Sequence, residues 1–211
     1  MINIEDIWVF RMIALSNLES DLTNGLYSKL NAPANPLREE IGNNEIISER
    51  DRRNVSCFPG TVVNNFVPFY FSIKTPMLYN IYTGRGVPIK AQKDIVYLCT
   101  RMLDLANEDF QWCFTNGNAA KRITKYYTDL ADIENIDWRS IKTDDFRIDN
   151  ADGDEDRIRK KHSEFLVKDY VPGNKLRGIA VFDNKVKTEV DNLTKQLNLE
   201  IEIKIKKDFY F

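Results

Sequence analysis

Glu164 is the carboxylate whose surroundings in the sequence best suit chemistry. It directly precedes the apolar segment 165–167 and follows a basic segment that includes Arg157 and Lys161. A carboxylate at the start of a buried strand is held in place and tends to have a perturbed pKa, as catalytic carboxylates do. Spacing alone favours a more ordinary alternative, a surface glutamate that pairs with the neighbouring lysines.

Three arginines, Arg50, Arg52 and Arg53, form a cluster that suits a phosphate ligand. A guanidinium group binds phosphate oxygens through two parallel hydrogen bonds, which holds a nucleotide firmly. Composition alone favours a solvated charge cluster, so both interpretations stay open. The nearby aromatic residues Phe69 and Tyr70 pose a similar choice between a stacking platform and, more commonly, a hydrophobic core.

Several common kinds of site are not indicated. His162 is the only histidine and is flanked by Lys161 and Glu164, so we expect it on a helix surface rather than in a Ser/His/Asp or Cys/His centre. Three cysteines and one histidine do not supply a structural zinc set. The acidic segment 149–156 lacks calcium-loop spacing, and no Gly-rich turn of the Rossmann or P-loop type is present. We therefore expect no metal.

The composition is that of one ordinary globular domain. The 211 residues include 30 Lys and Arg and 32 Asp and Glu, a net charge of −2, which argues against a nucleic-acid binder coated in basic residues. The length suits a single domain over residues 1–211. The first residues lack a signal-peptide pattern, and no apolar run approaches the roughly 20 residues of a membrane span. We expect a cytoplasmic monomer without membrane contact.

The residues that could do chemistry must be positioned by an α+β arrangement of many strands and few helices. Ser16 and Asn17 offer an N-cap for the first helix, which Gly25 ends, and Pro68 indicates an edge position or a bulge in its strand. The predicted strands are 7–10, 62–72, 77–82, 94–100, 110–115, 164–167, 177–182 and 200–206. The predicted helices are 18–24, 119–130 and 184–196, and the predicted loops are 31–45 and 142–156.

Taken in order, many segments of the chain resemble DarT, a family of bacterial toxins that ADP-ribosylate DNA bases with NAD. The similarity runs from Trp8 to the final aromatic residues 209–211, and the order and spacing of the segments carry it rather than any single motif. The segments are Arg11-Met12-Ile13 with Asn17-Leu18, Ala34-Asn35-Pro36 with Ile41-Gly42, Ile46-Ile47-Ser48-Glu49-Arg50, Val67-Pro68-Phe69-Tyr70-Phe71, Pro76-Met77-Leu78-Tyr79, Asp94-Ile95-Val96-Tyr97-Leu98, Asn116-Gly117-Asn118-Ala119, Ile136-Asp137-Trp138, and Arg159-Lys160-Lys161 leading into Glu164-Phe165-Leu166-Val167.

The resemblance implies an ADP-ribosyltransferase fold, an α+β split β-sandwich with flanking helices that binds NAD as a substrate in a cleft. It also implies that Glu164 is the catalytic glutamate and that Arg50 is the essential arginine of the NAD site. Further NAD contacts are implied for Arg11, Met12, Ile13, Asn17 and Tyr70, beneath a loop at about 31–55 that covers NAD. A DNA-facing loop at about 119–164 carries Lys121, Arg122, Lys125, Tyr126, Tyr127 and Arg157.

The implied reaction transfers ADP-ribose from NAD to a base in single-stranded DNA and releases nicotinamide, with guanine favoured over thymine. The implied role is the toxin of a toxin–antitoxin system, whose partner is a macrodomain antitoxin with ADP-ribosyl hydrolase activity. Two positions depart from the family, since Ala14 and Asn118 stand where many relatives carry histidine. These departures motivate an alternative, a weakened or inactive DNA- or NAD-binding module of the same fold, against which the intact Arg50 and Glu164 weigh.

Overall fold

The computed structural model describes residues 2–211, which form ten strands and seven helices linked by short 3-10 turns. The strands are β1 (Trp8–Ala14), β2 (Leu26–Tyr27), β3 (Phe66–Tyr70), β4 (Ile95–Arg101), β5 (Trp112–Thr115), β6 (Tyr126–Tyr127), β7 (Glu164–Lys168), β8 (Tyr170–Val171), β9 (Gly178–Val181) and β10 (Glu202–Ile205). The helices are α1 (Leu18–Asn24), α2 (Asn44–Arg50), α3 (Pro76–Thr83), α4 (Met102–Leu105), α5 (Trp138–Lys142), α6 (Arg157–Lys161) and α7 (Asn184–Gln196).

Eight strands form one mixed sheet in the order β10-β9-β4-β1-β3-β7-β5-β6, and β2 pairs with β8 in a small second sheet. The pairing of β1 with β4 is antiparallel and extends from Trp8↔Arg101 to Ala14↔Ile95. Strands β9 and β10 are parallel, and α7 makes the connection between them. The predicted α+β class is therefore confirmed.

The sheet opens between β1 and β3, which pair only at Phe10↔Tyr70. On its other side β3 pairs with β7 over five residues, from Phe66↔Lys168 to Tyr70↔Glu164. Pro68 is therefore in an interior strand and not at an outer edge. Because N–H groups alternate in direction along a strand and Phe71 N–H bonds to Ser163, the N–H that Pro68 lacks would point towards the opening, where no ladder bond is lost.

Both faces of the central strands are covered, which explains their nearly continuous apolar sequences. In β1, Val9 and Ile13 face a large cluster that also contains residues of α1, α4, α5 and α7. Phe10 and Met12 face the opposite side, where α3 and Tyr210 pack. Within residues 2–211 no helix is long and apolar enough to cross a membrane.

The predicted helices 18–24 and 184–196 are confirmed as α1 and α7, and Gly25 ends α1 with a φ of 78°. The predicted strand 77–82 is wrong, because these residues form α3. Thr75 caps this helix by accepting the Leu78 N–H at 3.2 Å, Pro76 occupies its first turn, and Gly84 closes it in the left-handed conformation. These local signals outweigh the strand propensity of the aromatic residues.

The predicted helix 119–130 is also wrong, because this segment forms turns followed by β6. Side chains satisfy its backbone groups in place of helical bonds. Thr124 Oγ1 donates to Asn118 O at 2.8 Å, and Asn116 Oδ1 accepts the Lys125 N–H at 3.0 Å. Such side-chain bonds compete with the helix that the spacing of apolar residues suggests.

Candidate active site

A cleft of about 740 Å³ lies at the opening between β1 and β3, a volume typical of small-molecule sites, which span roughly 300–1,000 Å³. The segment 32–43 and α2 form its cover, and β1, α1 and β3 form its floor and walls. All six residues expected at NAD line this cleft, namely Arg11, Met12, Ile13, Asn17, Arg50 and Tyr70. The structure thus brings them together, and their contact with NAD stays a prediction.

Arg50 and Glu164 form a buried ion pair beside the cleft. Arg50 Nη1 donates to Glu164 Oε1 at 3.1 Å and to Oε2 at 2.9 Å. Glu164 is 1% exposed and Arg50 is 8% exposed, which rules out the interpretation of Glu164 as a surface residue. Burial alone would lower the pKa of Arg50, but the charge of Glu164, the nearby Tyr70 and the hydrogen bond to Glu164 together raise it. A carboxylate and a guanidinium are thus held together in a site of low solvent access.

Two guanidinium nitrogens of the cleft are buried without a hydrogen-bond partner among residues 2–211. They are Nη2 of Arg50 and Nε of Arg11. Arg11 Nη1 donates to Pro68 O at 3.1 Å, which holds the side chain across the opening of the sheet. Because an unpaired buried donor is costly, these nitrogens suit a ligand that brings acceptor oxygens into the cleft, such as a diphosphate.

Backbone and hydroxyl groups hold Glu164 in place. The Ala119 N–H donates to Glu164 Oε1 at 3.0 Å, and the Glu164 N–H donates to Thr115 Oγ1 at 3.0 Å. The Thr115 hydroxyl in turn donates to Gly117 O at 2.7 Å. Sequence reasoning missed Thr115, although a threonine directly before the Asn116-Gly117 turn is a signal for such a role.

Two further groups of the cleft lie near the ion pair. Tyr70 is opposite Glu164 in the β3–β7 ladder, and burial, reinforced by the Glu164 charge, raises the pKa of its phenol. His162 lines the cleft and is half-buried, so the expectation of an exposed helix surface is wrong. Its Nδ1 lies 2.9 Å from Ile158 O, and burial lowers its pKa, which favours the neutral imidazole.

The side chain of Asn17 holds the loop that covers the cleft. Its Nδ2 donates to Glu39 O at 2.8 Å, and its Oδ1 accepts the Glu39 N–H at 3.0 Å. It makes no N-cap bond to α1, which corrects that part of the sequence prediction. Arg38 of the same loop donates to both oxygens of the buried Asp21, at 2.5 and 3.2 Å. The polar atoms of Asn17 are therefore committed to the loop.

The residues expected to face DNA differ in exposure. Arg122 and Lys125 are exposed, whereas Lys121 pairs with Glu49 at 2.9 Å. Tyr126 donates its hydroxyl to Ala119 O at 2.6 Å. The remaining tyrosine of this set, Tyr127, stacks on Phe114 with ring centroids 5.3 Å apart. Within residues 2–211, Arg122 and Lys125 are thus the exposed basic residues of this set that form no ion pair with a carboxylate.

Arg157 lies apart from that surface and is 3% exposed. It donates to Asp145 O at 3.1 Å and to the carboxylate of Asp152. These bonds hold the acidic loop 142–156 onto α6, which corrects the expectation that Arg157 presents its charge to DNA. The positions that depart from the family, Ala14 and Asn118, both line the cleft.

Comparison with known proteins identifies the family. A family model described as "ssDNA thymidine ADP-ribosyltransferase, DarT" matches residues 10–211. A DNA ADP-ribosyl transferase of Escherichia coli O127:H6 (strain E2348/69 / EPEC) is 29% identical over 204 residues, covering 96% of this chain and 93% of that protein.

Solved structures show the same architecture. Thermus sp. 2.9 DarT in complex with ADP-ribosylated ssDNA superposes with a TM-score of 0.89 at 27% identity, over 98% of this chain and 97% of that one. The same protein in complex with NAD+ gives a TM-score of 0.85 at 26% identity, over 98% of both chains. With a split sheet, a cleft at the split and a buried arginine–glutamate pair beside it, this chain belongs to the DarT family, whose members are DNA ADP-ribosyltransferases.

Proposed function

We propose that this protein transfers ADP-ribose from NAD to a base in single-stranded DNA and releases nicotinamide. The observation that carries the proposal is the buried Arg50–Glu164 pair, which stands beside a cleft with unpaired guanidinium donors. In the reaction, the bond from the ribose to nicotinamide breaks and a bond from the same ribose carbon to a base nitrogen forms. That nitrogen gives up its proton.

The two charged residues have separate tasks in this reaction. Loss of nicotinamide places positive charge on the ribose, which the Glu164 carboxylate stabilises; the carboxylate can also take the proton of the attacking base. Arg50 holds Glu164 through Nη1 while its Nη2 stays available for a phosphate oxygen of NAD. One guanidinium thus connects the substrate to the catalytic carboxylate, so much of the catalysis is positioning.

Single-stranded DNA as the acceptor is supported by two observations. A relative of this chain has been solved with ADP-ribosylated ssDNA. The exposed Arg122 and Lys125 follow Ala119, whose N–H holds Glu164, by three and six residues, so two positive charges lie close in the chain to the group that binds this carboxylate. An enzyme that visits single strands needs only such a local positive surface, which agrees with the net charge of −2.

Two acceptor bases are possible within this proposal, guanine and thymine. The sequence resemblance favours guanine, whereas the description of the matching family model names thymidine. Oligonucleotides that contain only guanine or only thymine of these two bases show which one is modified.

We further propose that the protein acts as the toxin of a toxin–antitoxin system in the cytoplasm. An enzyme that attaches ADP-ribose to DNA bases harms the cell that makes it, so it requires a partner that removes the group or blocks the enzyme. A macrodomain antitoxin with ADP-ribosyl hydrolase activity meets that need. The alternative function, an inactive binding module, is motivated by Ala14 and Asn118 in the cleft lining.

Mass spectrometry of oligonucleotides incubated with the protein and NAD tests the proposal. We expect a gain of one ADP-ribose per modified strand, and no gain with the variant Glu164→Ala. Modification that persists in this variant would contradict the role of Glu164, and modification of protein side chains would contradict the acceptor. Binding of NAD and DNA without any transfer would support the inactive module instead.

A further inference from the structure

A short turn beside Glu164 carries an unusually exposed apolar side chain. The turn comprises residues 118–125, and Ile123 near its tip is 69% exposed. Single exposed apolar residues are common on protein surfaces, so exposure alone indicates nothing. Three features distinguish Ile123 from the other exposed apolar residues. They are the hydrogen bonds that fix its turn, the basic residues around it and its proximity to the catalytic carboxylate.

Side-chain bonds hold the turn in a fixed shape. Arg53 Nη2 donates to the carbonyl oxygens of Arg122 and Thr124, at 3.1 and 3.3 Å. The buried Thr124 hydroxyl donates to Asn118 O at 2.8 Å. Hydrogen bonds therefore fix the carbonyl groups of the residues on both sides of Ile123. The backbone of the turn is thus already ordered while the Ile123 side chain is in solvent, so little further backbone entropy remains to be lost.

The same turn is joined directly to the catalytic carboxylate. The Ala119 N–H donates to Glu164, and Ala119 O accepts the Tyr126 hydroxyl. Ile123 follows Ala119 by four residues, so their Cα atoms are at most about 14 Å apart. Stacked nucleotides repeat about every 3.4 Å along one strand, so Ile123 lies within a few nucleotides of an acceptor base at Glu164.

The charge around Ile123 suits a nucleic-acid strand. Arg52, Arg122 and Lys125 are exposed, and within residues 2–211 none of them forms an ion pair with a carboxylate. The acidic neighbour Glu49 is already paired with Lys121. An apolar side chain within a basic surface is the combination with which proteins pack against or between bases while binding the flanking phosphates.

We propose that Ile123 packs against the face of a base next to the acceptor, while Arg122 and Lys125 bind the flanking phosphates. Ile123 then keeps the strand unstacked at the acceptor and makes its base available to the ribose. This inference rests on the proposed function, since it concerns the single-stranded DNA bound at that site.

Kinetics with single-stranded oligonucleotides test the inference through the variants Ile123→Ala and Ile123→Phe. We expect Ile123→Ala to raise KM for DNA about tenfold, the scale of a lost base contact. Ile123→Phe keeps an apolar surface for the base, so its KM for DNA should stay close to that of the wild type. Affinity for NAD, measured by calorimetry, and the Tm should stay unchanged. The matched control is Ile205→Ala, since Ile205 is 37% exposed on β10 at the opposite edge of the sheet from β6.

Oligonucleotides with one abasic position near the acceptor give a second readout. Removal of the contacted base should raise KM for DNA about tenfold with the wild-type protein and leave KM of Ile123→Ala almost unchanged, because the two changes remove the same contact. If Ile123→Ala modifies DNA like the wild type, or loses NAD affinity in parallel, the inference is wrong while the proposed function stands. If the wild-type protein modifies no DNA, the proposed function and the inference both fail.

Discussion

Arg50 donates two hydrogen bonds from one nitrogen to both carboxylate oxygens of Glu164, although 114 positions separate these residues in the chain. The bond joins the end of α2 in the cleft cover to the first residue of β7 in the sheet. Displacement of the cover would therefore remove both Arg50 bonds from the Glu164 carboxylate, which would keep the Ala119 N–H on Oε1.

Removal of one partner of this pair should destabilise the protein. Arg50→Ala leaves the Glu164 charge buried and uncompensated, which costs about 3–5 kcal/mol in the free energy of unfolding. Urea denaturation measures this loss, and the double variant Arg50→Met, Glu164→Gln should recover part of it. Lys29→Ala is the control, because the exposed Lys29–Glu40 pair contributes about 1 kcal/mol or less. A small effect of Arg50→Ala would contradict the buried ion pair.

Thr115 should control the rate without changing the binding of NAD. Thr115→Val leaves the Glu164 N–H and Gly117 O without a partner, a cost of about 1–3 kcal/mol for each buried group. We expect kcat to fall at least tenfold while KM for NAD stays the same. Thr115→Ser keeps the hydroxyl and should retain most activity. Equal activity of the valine variant would refute this positioning role.

Loss of the Asn17 amide should weaken the binding of NAD. Asn17→Ala removes both bonds to the Glu39 backbone, so the cleft cover becomes mobile and must be ordered again on binding. We expect KM for NAD to rise about tenfold with a smaller change in kcat. In the control Ser16→Ala, only an exposed bond to the Glu39 carboxylate is lost, and KM should change less than twofold. Similar KM values for the two variants would contradict the role of Asn17 in holding the cleft cover.

His162 should make stability depend on pH in the mildly acidic range. Burial lowers its pKa, so the unfolded chain takes up a proton at a higher pH than the folded chain. The stability from this group is therefore fully present above about pH 6.5 and decreases as pH falls below that value. Because the chain has one histidine, its imidazole NMR signal should titrate with a midpoint below about 6.5.

The variant His162→Gln provides the control for this titration. Its unfolding free energy should change less than that of the wild type between pH 7 and the acid side of the NMR midpoint. A midpoint at or above the value of an unstructured histidine would contradict the burial of this imidazole in the cleft wall.

The three cysteines should differ in reactivity. The neighbouring Cys113 thiol lowers the pKa of the half-buried Cys57 thiol, whereas burial raises the pKa of Cys99 to about 12 and also raises that of Cys113. Since the thiolate is the reactive form, a soluble alkylating reagent should label one site per folded chain at pH 8. Peptide mapping should place the label at Cys57, and Cys57→Ser should abolish it. Labelling of Cys99 before Cys57 would contradict the burial of Cys99 in the core.

Local patterns in the sequence were sufficient for some elements and not for others. The predicted bounds of α7 agree with the observed ones; the structure shows that Asp183 caps this helix and that its buried residues Val186, Val190 and Thr194 share one face. In contrast, the segment 119–130 has helical spacing but folds as turns, because the neighbouring Asn116 binds the Lys125 N–H and the distant Arg53 binds the Thr124 carbonyl. These side-chain bonds outweigh helix propensity there.

Residue type and order along the chain determined the family, and the resemblance to that family predicts a catalytic role for Glu164 and a role in the NAD site for Arg50. Only the tertiary structure decided how these groups are held. The ion pair, the Ala119 N–H on the carboxylate and the Thr115 hydroxyl join residues 45 to 114 positions apart. Such bonds form because packing of the split sheet excludes water, so these buried polar groups bond to protein atoms instead, and no local pattern in the sequence encodes which residue is brought within reach.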